Sequence, residues 1–322
     1  MAIKSKIEQQ RIIERIVEKF APILWLHPNE AYEPKEIGIL VNHAKVKRIS
    51  TDEVINLRDI PVNQRLEKLG SLAGTDWHLD YSHLSLQDGP EAYRDIYQKV
   101  LAKNYKTTVY TRVTTQSGKT IVQYWFFYFF NDWHIRFDHE GDWEMIELVF
   151  DGENLQKIYE QGMPEFAVYS QHGKLILGIA AGGTKRKWVD VNKLGNHPYV
   201  FVGKGSHANY FQATSPVLLD PQSLPEWVDE TSMEGIQLIP VELEGIFTRT
   251  KTKFVSFGKP VLLPEINDPS VKAISPWLLF QGRWGEWVGE KSPNNGAEAP
   301  ISHDSWRYPL NWTDSLPWEK GP

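Results

Sequence analysis

Between Asp132 and Glu144 the chain carries five acids, Asp132, Asp138, Glu140, Asp142 and Glu144, and two histidines, His134 and His139. They sit between the aromatic run YWFFYFF and the strand-like WEMIELVF. Carboxylates crowded beside apolar residues lose hydration and repel one another, so they need a compensating positive charge. A bound cation supplies one. Asp142 and Glu144 stand two apart where a strand is expected to begin, which sends both side chains to one face. His139 turns in from the preceding loop, and Asp132 ends the aromatic strand. Asp132, His139, Asp142 and Glu144 are therefore the expected ligands. Three carboxylates and one imidazole suit Mg²⁺ or Ca²⁺ first, with Mn²⁺ and Zn²⁺ open. The competing reading pairs these acids with Arg136 and nearby lysines on a solvated loop.

Two further segments place a histidine beside glycine at an expected strand end: Gln171-His172-Gly173 and Gly205-Ser206-His207-Ala208-Asn209. Glycine there permits positive φ or a close backbone approach. Singly, each histidine reads as a hydrogen-bonded structural residue; with His139, all three fit one end of a sandwich. Ser170, His172, Ser206, His207 and Trp133 form the expected ligand pocket. His172, Glu140 and His207 are the candidates for proton transfer if the site is catalytic. Adjacent Ser206 and His207 cannot make a nucleophile–base pair in the usual geometry, and no G-x-S-x-G elbow occurs. Neither a P-loop nor a dinucleotide-binding glycine pattern is present. The basic stretch in AGGTKRKW reads as an exposed turn, the alternative being a phosphate or headgroup contact.

The elements that position these groups read as mainly β. Ile3, Ile7, Ile13, Ile16, Val17 and Phe20 recur at three and four, the face of an amphipathic helix docked on the body. Residues 21–105 read as an extended and helical lead-in, with short helices or turns over 51–70 and 91–103. KTTVYTRVTT, the SGK turn and TIVQYWFFYFF form a hairpin; WEMIELVF is the next strand, ended by Asp151-Gly152. PEFAVYSQHGKLILGIAAGG reads as two strands meeting near His172, and HPYVFVGKGSHANYF as another strand running into a loop. Short strands separated by turns favour a sandwich over a parallel α/β sheet. The expectation is a single β-sandwich domain over 1–322, with an N-terminal helix over 1–20, a core over 106–260, short peripheral helices, and a Trp/Pro-rich wrap over 261–322.

At 322 residues with 41% hydrophobic and 24% charged side chains, composition is that of a folded globular chain. No apolar run approaches the ~20 residues of a membrane span, and the charged N-terminus lacks the apolar stretch of a secretory signal. The default location is cytoplasmic, with non-classical release as an alternative. The absence of cysteine excludes disulfides, thiolate ligands and a cysteine nucleophile. A net charge of -6 gives no electrostatic reason to expect nucleic acid. Thirteen tryptophans fill a β core or stack on sugars and headgroups.

With these residues in view, the chain resembles the group known as vacuolar protein sorting-associated protein 62. The resemblance rests on FAPILWLHPNEAYEP, YWFFYFFND, HEGDWE, VYSQHG, GSHANY and FQGRWGEW, which run from about residue 20 to 318. A second, partial resemblance is to the necrosis- and ethylene-inducing peptide-like cytolysins, which carry G-H-R-H-D-W-E after an aromatic strand ending in aspartate. It implies divalent-metal ligands at His139, Asp142, Glu144 and Asp132, with a serine, histidine and glycine at Ser170, His172 and Gly173. It also implies recognition of a sphingolipid headgroup at the end of a β-sandwich. Here Gly141 stands where the cytolysins have a second histidine and Glu140 where they have arginine. The leading expectation is a divalent-metal-dependent protein that binds a lipid or glycan headgroup, membrane-acting and toxin-like in its strongest form. The alternatives are a metal-assisted hydrolase or lyase acting on a small-molecule substrate at the same site, and a trafficking or structural adaptor.

Overall fold

The computed structural model describes residues 2–133, 137–171, 182–213, 229–249 and 253–319. His172 and Gly173 lie outside the described residues, as does the strand read after them.

Over the described residues the chain is mainly β, in three sheets. The first has the order Lys193–Leu194, His197–Val202, Ile23–Trp25, Gln237–Pro240, Phe254–Gly258, and Asn209–Tyr210 also pairs with His197–Val202. The second runs Val261–Leu262, Tyr110–Gln116, Lys119–Asn131, His139–Asp151, Phe166–Ser170, Gly183–Lys187. A small third sheet joins Val54–Asn56, Ala44–Arg48 and Trp77–Tyr81.

The expected hairpin is the centre of the second sheet. Lys119–Asn131 is buried on both faces, which is why its sequence is a continuous apolar run rather than an alternating one. On one face Tyr128 stacks on His207, and the Tyr124 hydroxyl donates to the Val17 carbonyl at 2.8 Å. On the other, Trp125 meets Trp306 at 5.5 Å and Phe127 meets Trp284 at 5.3 Å, so the C-terminal wrap covers this side. The two large sheets share one core: Tyr169 of the second stacks on Phe211 at 3.8 Å and donates its hydroxyl to the Tyr199 carbonyl of the first at 2.8 Å.

Three readings of the sequence are corrected. The lead-in contains real sheet: Ile23–Trp25 sits inside the first sheet, parallel to Tyr199–Phe201, and the whole third sheet falls within it. A three-residue strand is too short to show an alternating pattern. The basic stretch Gly183–Lys187 is a strand and not an exposed turn, with Lys185 and Arg186 buried. Arg186 donates to Glu319 at 2.5 Å and lies over the Phe211 ring, and Lys185 donates to the Thr313 carbonyl at 2.9 Å. Among its described side chains the helix Ala2–Lys19 docks through its C-terminal end, where Ile16, Val17 and the following Phe20 are buried, whereas Ile7 is 51% exposed. Among the described residues no helix is long and apolar enough to cross a membrane.

Candidate ligand and metal site

His139–Asp151 pairs with Lys119–Asn131 along almost its whole length, setting Asp142 opposite Tyr128 and Glu144 opposite Phe126. Its other neighbour, Phe166–Ser170, pairs with it over Ile146–Val149. The first turns of the acidic strand therefore have an edge that no described strand covers, and a cavity of about 330 Å³ lies there. Asn131, His139, Asp142, Glu144, Ser170 and Ser206 line it from the sandwich, and Glu298, His303, Asp304 and Trp312 line it from the C-terminal wrap. Trp125, Trp143 and Met145 also line it.

The strand begins as it does because of glycine. Gly141 has φ of +57°, and a Cβ there would stand 1.8 Å from the Trp284 carbonyl oxygen. The Ala297 N–H donates to the Gly141 carbonyl at 3.3 Å, and the Glu286 N–H donates to the Glu140 carboxylate at 3.1 Å. HEGDWE and GRWGEW are thus one packed unit, and no side chain, histidine included, fits at position 141.

Glu140 points into that unit. The Tyr93 hydroxyl donates to it at 2.6 Å and the Tyr81 N–H at 3.0 Å. Burial pushes its carboxyl up to about 8, Asp80 and Glu286 adding to the rise and the Tyr93 bond opposing it. Asp80, Glu140 and Glu286 bring ligand atoms within 4.8 Å of one another, but Asp80 is already ion-paired with Lys47. Glu140 does not line the cavity.

Asp142 and Glu144 are held in opposite states. Burial pushes Glu144 well above the ordinary carboxylate range, and the Asp142 charge beside it pushes it further. Burial acts the same way on Asp142, but the His207 bond, the neighbouring His139 and the Asn131 amide outweigh it and hold Asp142 low. Asp142 Oδ2 accepts from Asn131 at 3.2 Å and lies 2.9 Å from His207 Nδ1. Ser170 donates to Glu144 Oε2, and receives the Met145 N–H at 2.9 Å and the Asn209 amide at 3.2 Å. Asp142 Oδ1 and Glu144 Oε1 carry no protein hydrogen bond among the described residues.

Two carboxylates and an imidazole are the donor types of a divalent-ion site. His139 Nδ1 lies 3.1 Å from the Gly141 carbonyl, which makes it an N–H donor and leaves Nε2 as the nitrogen that a metal would take in place of a proton. The free oxygens of Asp142 and Glu144 are hard donors, and a cation would take the place of the Glu144 proton. Among the described residues the ligand atoms of His139, Asp142 and Glu144 do not all close to within 4.8 Å of one another, so as placed they would not all bond one ion directly, and at least one would reach it through water.

The other expected residues fall differently. Asp132 is ion-paired with Arg94 and does not line the cavity. Ser206 lines it and donates to Asp229 at 2.6 Å. His207 is fully buried behind Asp142, with Nε2 3.5 Å from Glu30, so it supports the site without facing it. Trp133 lies outside the lining and packs against Phe137 at 5.3 Å. Sequence reasoning missed Glu30, Asn131, His303, Asp304 and Trp312. Glu30 lay within a quoted motif, HPNEAYEP, where an acid among apolar residues was the available signal. The wrap residues gave none, because nothing local ties them to a strand edge about 160 residues upstream.

Fold and site together define a mainly-β protein of two large packed sheets with a carboxylate–imidazole cluster at one strand edge. No protein-family model matches the chain, and no curated protein matches it. Solved structures of necrosis- and ethylene-inducing proteins do match at low identity. The non-toxic HaNLP3 protein is 13% identical, with 59% of this chain and 62% of that one covered at a TM-score of 0.30. Necrosis and Ethylene inducing Protein 2 from the causal agent of cocoa's Witches Broom disease is 13% identical, with 57% and 59% covered at 0.26. NLPPya in complex with mannosamine is 16% identical, with 34% and 46% covered at 0.24. The chain thus spans about half to three-fifths of these neighbours. Overlaps this loose say nothing about residue roles or ligands. The vacuolar sorting-associated group has no counterpart among these matches.

Proposed function

We propose that the Asp142–Glu144 edge holds a hydrated divalent ion and that ion and cavity together bind the polar headgroup of a lipid or glycan. The observation that carries this reading is the pair itself: two buried carboxylates, one held low and one pushed well above the ordinary range, each with an oxygen that has no hydrogen bond among the described residues, beside a cavity of about 330 Å³. Glu144 is kept from ionising by burial and by Asp142, whose charge shares the His207 cation with Glu30, and a bound divalent ion would let it ionise. Asp142, Glu144 and His139 would hold the ion, Asn131 and His207 would orient Asp142, and Ser170 would orient Glu144. When bound, the ion offers open positions to hydroxyl or phosphate oxygens. Action at a membrane surface is the physiological form this reading favours.

Elemental analysis of the purified protein and titration calorimetry with Mg²⁺, Ca²⁺, Mn²⁺ and Zn²⁺ test it, alongside vesicle and glycan binding with and without chelator. One ion per chain, lost in Asp142→Asn, is expected. No divalent binding at millimolar ion would sink the reading.

A metal-assisted hydrolase or lyase is favoured by one observation. His303 lines the same cavity, and burial holds its imidazole below the ordinary value, leaving it neutral and able to accept a proton. Turnover of phosphoester, ester or glycoside substrates that His303→Ala abolishes would select this reading over binding alone.

A further inference from the structure

The cavity lies against a strand edge with a gap in its backbone bonding. In Lys119–Asn131, the Phe127 carbonyl accepts the Lys35 N–H at 2.8 Å, on the side away from the acidic strand. Trp143, directly opposite Phe127 in the antiparallel ladder, is therefore in a non-hydrogen-bonded pair and turns both its N–H and its C=O to the other edge. The carbonyls two positions to either side of it are taken. That of Met145 accepts the Asn209 amide at 3.3 Å, and that of Gly141 accepts the Ala297 N–H at 3.3 Å. The Met145 N–H is taken as well, by Ser170 Oγ at 2.9 Å. Trp143 is 4% exposed, yet its N–H and C=O have no partner among the described residues. Buried backbone groups are almost always paired. Ser170 and Ala297, which close the edge on its two sides, both line the cavity together with Trp143, so the cavity occupies the place of the missing partner.

A partner for both groups offers a donor and an acceptor at the spacing of one extended residue. The edge is closed at Gly141 and Met145, which leaves no room for a continuous strand and favours the end of a chain. A volume of about 330 Å³, at the small end of the range for ligand pockets, agrees. The lining decides which end. Asp142, Glu144, Glu298 and Asp304 all contribute to it, and among the described residues no lysine or arginine does, so an ammonium is received and a carboxylate is repelled. We infer that the cavity captures the amino-terminal residue of an extended peptide, its ammonium donating to the Trp143 carbonyl and its first carbonyl accepting the Trp143 N–H. The inference goes beyond the headgroup reading and needs no ion at Asp142 or Glu144.

Nuclear magnetic resonance of ¹⁵N-labelled protein reads the Trp143 amide directly. The titration is run in chelator at about pH 6.5, where an α-amino group is charged, so the outcome is separate from that of the metal reading. Alanyl-alanine amide should shift the Trp143 amide resonance and slow its hydrogen exchange about tenfold or more. N-acetyl-alanyl-alanine amide, which lacks the ammonium, should bind at least about tenfold more weakly. Propylamine, which lacks the carbonyl, should leave the Trp143 amide where it was. Equal affinity for the free and acetylated peptides would overturn the assignment to an amino terminus. No change at Trp143 with millimolar peptide would overturn the inference outright. So would a Trp143 amide already protected from exchange in the ligand-free protein, since the chain's own backbone would then cover the edge.

Discussion

His207 lies face to face on Tyr128, with ring centroids 3.8 Å apart and planes 1° from parallel. The same imidazole spans two carboxylates, Asp142 at 2.9 Å and Glu30 at 3.5 Å, and its backbone takes the left-handed φ of +57° that non-glycine residues avoid. Burial acts to lower its pKa, but Glu30 and Asp142 outweigh that and raise it to about 9, so the ring is cationic at neutral pH. Removing it strands two buried anions. His207→Ala should therefore cost about 3–5 kcal/mol, the range for breaking a buried ion pair, when read by urea unfolding. A loss below about 1 kcal/mol would show that Glu30 and Asp142 are not held by charge.

Gly141 makes a sharper steric prediction. Gly118 has a similar positive φ, +80°, with nothing within 4 Å of a built Cβ, so Gly118→Ala should cost only the left-handed strain of about 1–2 kcal/mol. At Gly141 the Trp284 carbonyl stands in the way at 1.8 Å. Gly141→Ala should lose more than about 3 kcal/mol or fail to fold, because neither backbone can yield alone. Equal midpoints for the two variants in thermal unfolding would mean that the GRWGEW loop is not seated on the acidic strand.

The strands around the site were legible because each carries its own pattern. TIVQYWFFYFF is apolar but for Thr120 and Gln123, since it is covered by the first sheet on one side and the wrap on the other. Asp142 and Glu144 were legible as a pair because a strand's period of two fixes them. Asp132 was not separable from them by spacing, because its Arg94 partner comes from the helix Pro90–Ile96, whose docking no local pattern reveals. Glu140 looked like part of the acidic cluster, yet it serves the HEG–RWG junction through Tyr93, Tyr81 and Glu286. The strand Ile23–Trp25 and the cavity wall at His303–Trp312 depend on contacts between distant segments, and sequence periodicity carries no information about those.

The difference between Asp132 and Asp142 can be measured directly. Asp142 lines the cavity and Asp132 is occupied by Arg94, so Asp142→Asn should abolish divalent binding while Asp132→Asn leaves it within about threefold of wild type by calorimetry. At an ion concentration 100 times Kd, binding should stabilise the fold by about 2.7 kcal/mol, worth a rise of about 4 °C in Tm for a chain of this length. That rise should vanish in chelator and in Asp142→Asn. Loss of binding in Asp132→Asn instead would return the ligand set to the pattern of the cytolysin motif.

Glu147 sets the pH dependence away from the cavity. It is fully buried on the wrap side of the acidic strand, where Oε1 accepts from the Thr313 hydroxyl at 2.7 Å and Oε2 from the Gln123 amide at 2.9 Å. Burial raises its carboxyl from 4.5 to about 7, with the Gln123 and Thr313 bonds and the Arg112 charge opposing the rise. Between these values the folded protein keeps a proton that the unfolded chain has released, so stability falls as pH rises. The contribution is fully present below 4.5 and is lost as pH climbs toward and past 7, about 3 kcal/mol over the interval. Glu147→Gln removes the titration and keeps both hydrogen bonds, its amide donating to Thr313. Urea unfolding across pH 5–8 should therefore show a downward slope in wild type that is flattened in Glu147→Gln. Parallel slopes in the two proteins would mean that Glu147 is ionised in the fold with Arg112 as its counter-charge.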